Sequence, residues 1–229
     1  FYHCDILSEI NVPSSVKNIE AYAFDNTAFL NNFKSDVSNP FLILGDGLLV
    51  AYSGNEANAV IPEGVKKVCP GCFSNNTSIE SVYLPDSLNE IGSDAFRECS
   101  NLTTVSGGKN VEKIDDRAFM GCPIGTFCVG GKVKSMGLRS VDFSGTSKTD
   151  SSKTVVFEGN SLPAISYDSS SSRLSNTDYR KDVLYNCLFA IVDDSINDYT
   201  NTVLDGNRLG FSGLVLSIEK DENGAETGN

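Results

Sequence analysis

Phe73, Phe96 and Phe119 stand 23 residues apart, and Phe1 and Phe24 repeat the same interval. A fixed apolar period of that length marks a stack of repeats and argues against one closed core. The clearest unit carries Ile79, Val82, Leu84, Pro85, Leu88, Ile91, Ala95 and Phe96. One period later stand Leu102, Val105, Gly107, Gly108, Val111, Ile114, Ala118 and Phe119. The same ruler fits Leu7, Ile10, Val12, Pro13, Val16, Ile19, Ala23 and Phe24 at the start of the chain, and Ile61, Pro62, Val65, Val68, Cys72 and Phe73 before the clearest unit.

The spacing has a physical reading. Val82 and Leu84, two apart, point to one face of a short strand. Pro85 then stops the strand, because it cannot donate to a sheet ladder and restrains the residue before it. Leu88 and Ile91, three apart, suit a tight turn or 3₁₀ segment on the opposite wall. Ala95-Phe96 sets a small residue beside a large one, so backbones approach while the ring fills the gap between coils. One coil buries too few side chains to offset the entropy of ordering its residues, so stability must come from stacking.

The strings INVPSSVKNIEAYAF and VYLPDSLNEIGSDAFRECSNL resemble the BspA-like leucine-rich repeat family in their order of strand, Pro, Val/Leu, Ile-Gly, Ala-Phe and Cys. The resemblance covers residues 1–133. With the spacing, it implies an α/β, β-rich leucine-rich repeat solenoid, with short parallel strands on one face and turns or 3₁₀ segments on the other. From Phe24 to Phe73 is 49 residues, one period plus 26, which places an insertion near residues 33–58. GDGLLVAYSGNEANAVIPEGV resembles the hairpin that this family inserts between repeats. Gly45-Asp46-Gly47 is its short connection. Residues 134–219 read as degenerate repeats or a cap, with polar surface loops at 144–153 and 166–175. Residues 220–229 read as a flexible tail. Because Phe1-Tyr2-His3-Cys4 matches Phe96-Arg97-Glu98-Cys99, the chain is expected to open in mid-repeat, with further repeats or a signal segment upstream.

A formal charge of −12 disfavours nucleic-acid phosphates and anionic membranes. No apolar run approaches the roughly 18–20 residues of a membrane span. Among seven cysteines, Cys69-Pro70-Gly71-Cys72 has the form of a redox or metal pair, yet Cys72 occupies the small-residue slot of Ala95 and Ala118. Cys4, Cys99 and Cys122 each follow a repeat phenylalanine by three, which predicts a column of free buried thiols. A disulfide is the alternative, and the sequence cannot assign one.

Little else points to chemistry. His3 is the sole histidine, at a turn. Asp115-Asp116 and Asp193-Asp194 are sequence neighbours that should point apart onto a solvated surface, whereas acid–base pairs must face one another. Residues 193–207 are rich in oxygen ligands but lack the spacing of a calcium-binding EF-hand loop. Gly107-Gly108 and Gly130-Gly131 read as bends, and the sequons at Asn75, Asn76 and Asn101 fall in inter-coil turns. No metal or other cofactor is expected. Tyr22, Tyr52, Tyr83, Tyr167, Tyr179, Tyr185 and Tyr199 are the aromatics available to contact a glycan, with Tyr83 first because it alternates with inward Val82 and Leu84.

The family resemblance implies cell-surface proteins of oral and gut bacteria, and of some protozoa, linked to adhesion. The expectation is a non-enzymatic, extracellular or cell-surface module that binds a protein or glycan on a host or neighbouring cell, without nucleic acid or membrane insertion. The outward candidates are Glu9, Asn11, Ser81, Tyr83, Thr104 and Ser106. The alternatives are a structural spacer of a larger surface protein, or a carbohydrate-binding or enzymatic site in the divergent C-terminal half.

Overall fold

The computed structural model describes residues 1–36, 38–143, 153–158 and 163–165, and strand backbone at 184–185, 189–193 and 214–218. Residues 144–152 and 166–175, expected as loops, the oxygen-rich stretch after residue 193, and residues 220–229, expected as a tail, lie outside the described residues. So do Tyr167, Tyr179 and Tyr199.

The chain winds as a solenoid of short strands. Its first wall holds strands β3 (Asn58–Val60), β5 (Ser81–Leu84) and β7 (Thr104–Gly107), paired parallel with Ala59, Val82 and Val105 in one row. The wall resumes as a second parallel sheet of β10 (Thr126–Val129), β13 (Thr154–Phe157), β16 (Phe189–Asp193) and β17 (Leu214–Ile218). Val82 and Leu84 are 1% and 4% exposed, as the two-residue spacing requires.

The opposite wall is more regular than its spacing predicts. Ile91 sits in a two-residue strand, and such strands pair in parallel through β4 (Lys67–Val68), β6 (Glu90–Ile91), β8 (Lys113–Ile114), β11 (Ser135–Met136) and β14 (Ala164–Ile165). The turns expected there follow each strand, at residues 93–98 in the clearest coil. Two residues suffice because the step repeats at the same register, so every coil finds a partner on both sides. A third parallel sheet unites β9 (Phe119–Met120), β12 (Val141–Asp142) and β15 (Leu184–Tyr185).

The repeat phenylalanines stack through the centre. Phe73 and Phe96 lie 4.7 Å apart at 14°, and Phe96 and Phe119 lie 5.1 Å apart at 3°. Cys99 Sγ donates to the Phe73 carbonyl at 3.1 Å, and Cys122 Sγ to that of Phe96 at 3.0 Å. These two thiols are buried and free; Cys4 is free but exposed. The expected column thus holds for Cys99 and Cys122, each bonded to a carbonyl 26 residues before it, and not for Cys4.

The excess between Phe24 and β3 is itself a distorted coil. Thr27 caps helix α1 (Ala28–Ser35) by accepting from the Leu30 amide, and Leu30 buries that helix on the first coil. An antiparallel hairpin follows, β1 (Phe41–Leu44) with β2 (Leu48–Tyr52). β2 then pairs in parallel with β4, Leu49 opposite Val68, and so takes a regular place on the second wall. The Tyr52 ring lies 4.7 Å from Phe73, extending the aromatic column.

Two hydrophobic clusters meet at this hairpin. Leu48 packs with Ile19, Phe24, Leu30 and Leu42, whereas Leu49 packs with the long core that runs from Ala59 to Phe157. Successive strand residues face opposite ways, so β2 serves both clusters. A bulge shifts the register, with Leu42 opposite Ala51 but Ile43 opposite Leu49.

Candidate interaction face

Alternation on the first wall places one outward row above another. The register sets Asn58, Ser81 and Thr104 side by side, and Val60, Tyr83 and Ser106 beside them. Of these, Val60 is 61% and Tyr83 44% exposed. Ser81 Oγ donates to Asn58 Oδ1 at 2.6 Å, which ties two coils together along the upper row.

Tyr83 is held low by its neighbour. Gly107 has φ +80°, and a Cβ built there would stand 3.1 Å from Tyr83 Cε2 and 2.3 Å from the Leu84 carbonyl oxygen. Only glycine tolerates both the left-handed backbone and that approach. The expected bend is therefore present, and it leaves the phenol ring lying across the strand. Below the rows Asp86 pairs with Lys109 at 2.5 Å and raises the lysine's pKa, while Glu63 accepts from the Asp86 amide at 3.0 Å.

Four of the six outward candidates thus share one sheet. Glu9 and Asn11 are exposed, but the first coil forms no strand at residues 7–13, and neither residue joins the rows. The helix and hairpin fill the coil between them and β3. Asn58 and Val60 belong to the face and precede Ser81 and Tyr83 by one period, a relation the sequence carries but the anchor at Ile61 conceals. Thr126 and Cys128 present the next outward positions, although β10 opens a new sheet and does not pair with β7.

Of the other candidates Tyr22 is 70% exposed, on the turn of the first coil and off these rows, and the rest that are described serve the scaffold. Tyr52 is half-buried and not a free surface aromatic: it packs between Phe41 and Phe73, and burial raises its pKa. Cys69 and Cys72 are free and buried, and burial pushes the Cys69 thiol up to about 11. Among the described residues no group of three His, Cys, Asp or Glu side chains could hold a metal ion. Exposed His3 meets Asn26 through Nε2 at 3.3 Å. Asn76 closes a turn by accepting from the Ser78 and Ile79 amides.

Asp115 and Asp116 do point apart, yet neither stands on an open, solvated surface. Asp115 pairs with Lys113 at 2.9 Å, and Asp116 Oδ1 accepts from the Leu138 amide at 2.8 Å. Lys113 also reaches Glu90 at 3.2 Å, and Lys67 reaches Glu90 at 2.9 Å. This chain of charges runs along the second wall from β4 across β6 to β8.

The BspA type leucine-rich repeat region, a profile of six copies, matches residues 1–124 and 51–148. The chain belongs to the BspA-type leucine-rich repeat family. No curated protein matches the sequence. The fold is similar to the crystal structure of the pneumococcal vaccine antigen PcpA, at 20% identity and a TM-score of 0.57, covering 91% of this chain and 55% of that one. This BspA-type chain therefore spans about half the length of that antigen's structure. Lesser likenesses are to a leucine-rich repeat protein of T. pallidum (20% identity, TM-score 0.39, 53% of this chain and 70% of that one) and one of Bacteroides capillosus (25%, 0.35, 52% and 93%). Among the described residues no helix is long and apolar enough to cross a membrane.

Proposed function

We propose that this BspA-type chain is a non-enzymatic adhesion module, displayed at or secreted from a bacterial surface, which recognises a protein or glycan on a host or neighbouring cell. One observation carries the reading: three coils in strict register expose Asn58, Val60, Tyr83, Thr104 and Ser106 around half-buried Ser81 as a single open face. An open row with an exposed aromatic at its centre suits a macromolecular partner better than a small substrate. The likeness to a vaccine antigen supports surface display.

The test is a binding screen of the purified chain against extracellular-matrix proteins and glycans, repeated with Tyr83→Ala and Val60→Ser together. A bound partner lost on the double substitution, with an unchanged melting curve, is the expected result. A partner retained by that variant moves recognition off this face. A chain that binds nothing in the screen is a spacer.

A further inference from the structure

Each regular step of the solenoid is stitched by its turns. The amides of Gly71, Phe73 and Asn75 donate to the carbonyls of Ser93, Ala95 and Arg97 at 3.0, 2.8 and 2.8 Å. One coil on, Asp94, Phe96 and Glu98 donate to Asp116, Ala118 and Met120 at 2.9, 2.8 and 2.7 Å. By the same rule the amides of Tyr22, Phe24 and Asn26 should donate to the carbonyls of Pro70, Cys72 and Ser74. None of those three bonds exists, and none of the six groups has another hydrogen-bond partner among the described residues.

The cause is the distorted coil. β2 runs extended to Tyr52 and contributes no turn, so turn 20–26 and turn 69–75 face each other, tied at one end by the Cys69 thiol to the Ile19 backbone but without the three periodic bonds. A cavity of about 240 Å³ occupies the gap, floored by Val50, Ala51 and Tyr52 and edged by Lys34 of α1. It narrows at one end, where a methyl built on Gly71 would stand 3.6 Å from Ala21 Cβ.

We propose that this cavity is a binding slot for a short segment of a partner polypeptide, folded as residues 93–98 are, which supplies the missing turn. Alternate donors on one rim and alternate acceptors on the other match such a turn: residues 93–98 accept at Ser93, Ala95 and Arg97 from the coil before and donate from Asp94, Phe96 and Glu98 to the coil after, with Asp94 and Glu98 in the left-handed region. Its central side chain must be small, because the Tyr52 ring already holds the aromatic position against Phe73. The site is separate from the outward face and does not rest on it.

The experiment is amide hydrogen exchange followed by NMR on the whole chain. The probe is a capped heptapeptide with the sequence of residues 92–98 and alanine in place of Phe96. In the free chain the amides of Tyr22, Phe24 and Asn26 exchange fast beside those of Phe73 and Phe96. With the peptide they gain protection of about tenfold or more, saturating below about 1 mM. The same peptide N-methylated at alternate residues gives no protection. Ala51→Phe, which fills the floor, weakens binding by about tenfold or more, equivalent to 1.4 kcal/mol. Ala51→Leu serves if the larger variant melts early, and Tyr83→Ala leaves binding unchanged. Protection of the three amides in the free chain overturns the proposal, as does an absence of saturable binding or equal binding of the N-methylated peptide.

Discussion

At the scale of single residues, position in the repeat decides cost. Phe96 is fully buried between two rings, so Phe96→Ala should destabilise by about 3–5 kcal/mol. Tyr83→Ala should stay within about ±0.5 kcal/mol, as surface changes do. Equal losses in denaturant melts would reverse the assignment of inner and outer faces. Gly107→Ala should destabilise although it adds only a methyl, since that methyl meets the Leu84 carbonyl at a left-handed backbone. A drop of about 1–3 kcal/mol is expected, and a neutral result in the same melts would refute the close approach. The thiols divide by burial: Cys4 and Cys128 should be alkylated in the native chain, and Cys69, Cys72, Cys99 and Cys122 only on unfolding. Mass mapping of the labelled peptides reads this directly.

At the scale of elements, the hairpin and the charge chain were the parts hardest to see in the sequence. Both arms and the Gly-rich link of the hairpin are legible, because strand alternation and turn residues are local properties. That β2 joins the second wall is not, since its partner Lys67-Val68 lies across a turn and another strand. Tyr52→Ala should therefore cost about 2 kcal/mol or more, as a core truncation does, while Tyr52→Phe keeps most of the stability. A value near zero for the alanine variant would make Tyr52 an ordinary surface residue.

The charges on the second wall act against one another. Burial works to raise the Glu90 pKa, but the hydrogen bond and charge of Lys67, with Lys113 beside it, hold it below the ordinary 4.5. Burial raises Asp115 above 3.8 despite its bond to Lys113, with Glu90 adding to the rise. Glu90 thus contributes stability that is present above pH 4.5 and lost as pH falls through its lower folded value. Asp115 contributes with the opposite sign: its share is present below pH 3.8 and lost as pH rises through its raised folded value. Melts in acid should show a shallower fall for Glu90→Gln and a steeper one for Asp115→Asn than for the unsubstituted chain. Identical acid limbs for all three would show that the network does not govern acid stability.

At the scale of the whole molecule, stability should belong to neighbouring coils jointly. The two clusters meet at β2, and only Leu49 of its leucines faces the long core. Leu48→Ala should loosen the first coil while the coils from β4 onward keep their exchange protection. Loss of protection throughout on that substitution would mean the clusters unfold as one. The outward face and the slot at the missing turn lie on different coils, so substitutions in one should leave the other's binding intact.

The sequence by itself determined the solenoid, because every coil repeats the same local contacts and a 23-residue ruler records them. It set the inward phenylalanines, the buried Cys99 and Cys122, the strand ends at proline and glycine, and the outward places of Ser81, Tyr83, Thr104 and Ser106. The tertiary structure alone decided where the ruler fails. It turned the 26-residue excess into a coil, packed Tyr52 against the core, set Glu9 and Asn11 apart from the face, and left six backbone groups without their periodic partners. Those outcomes depend on which strand meets which across the stack, and no local spacing carries that information.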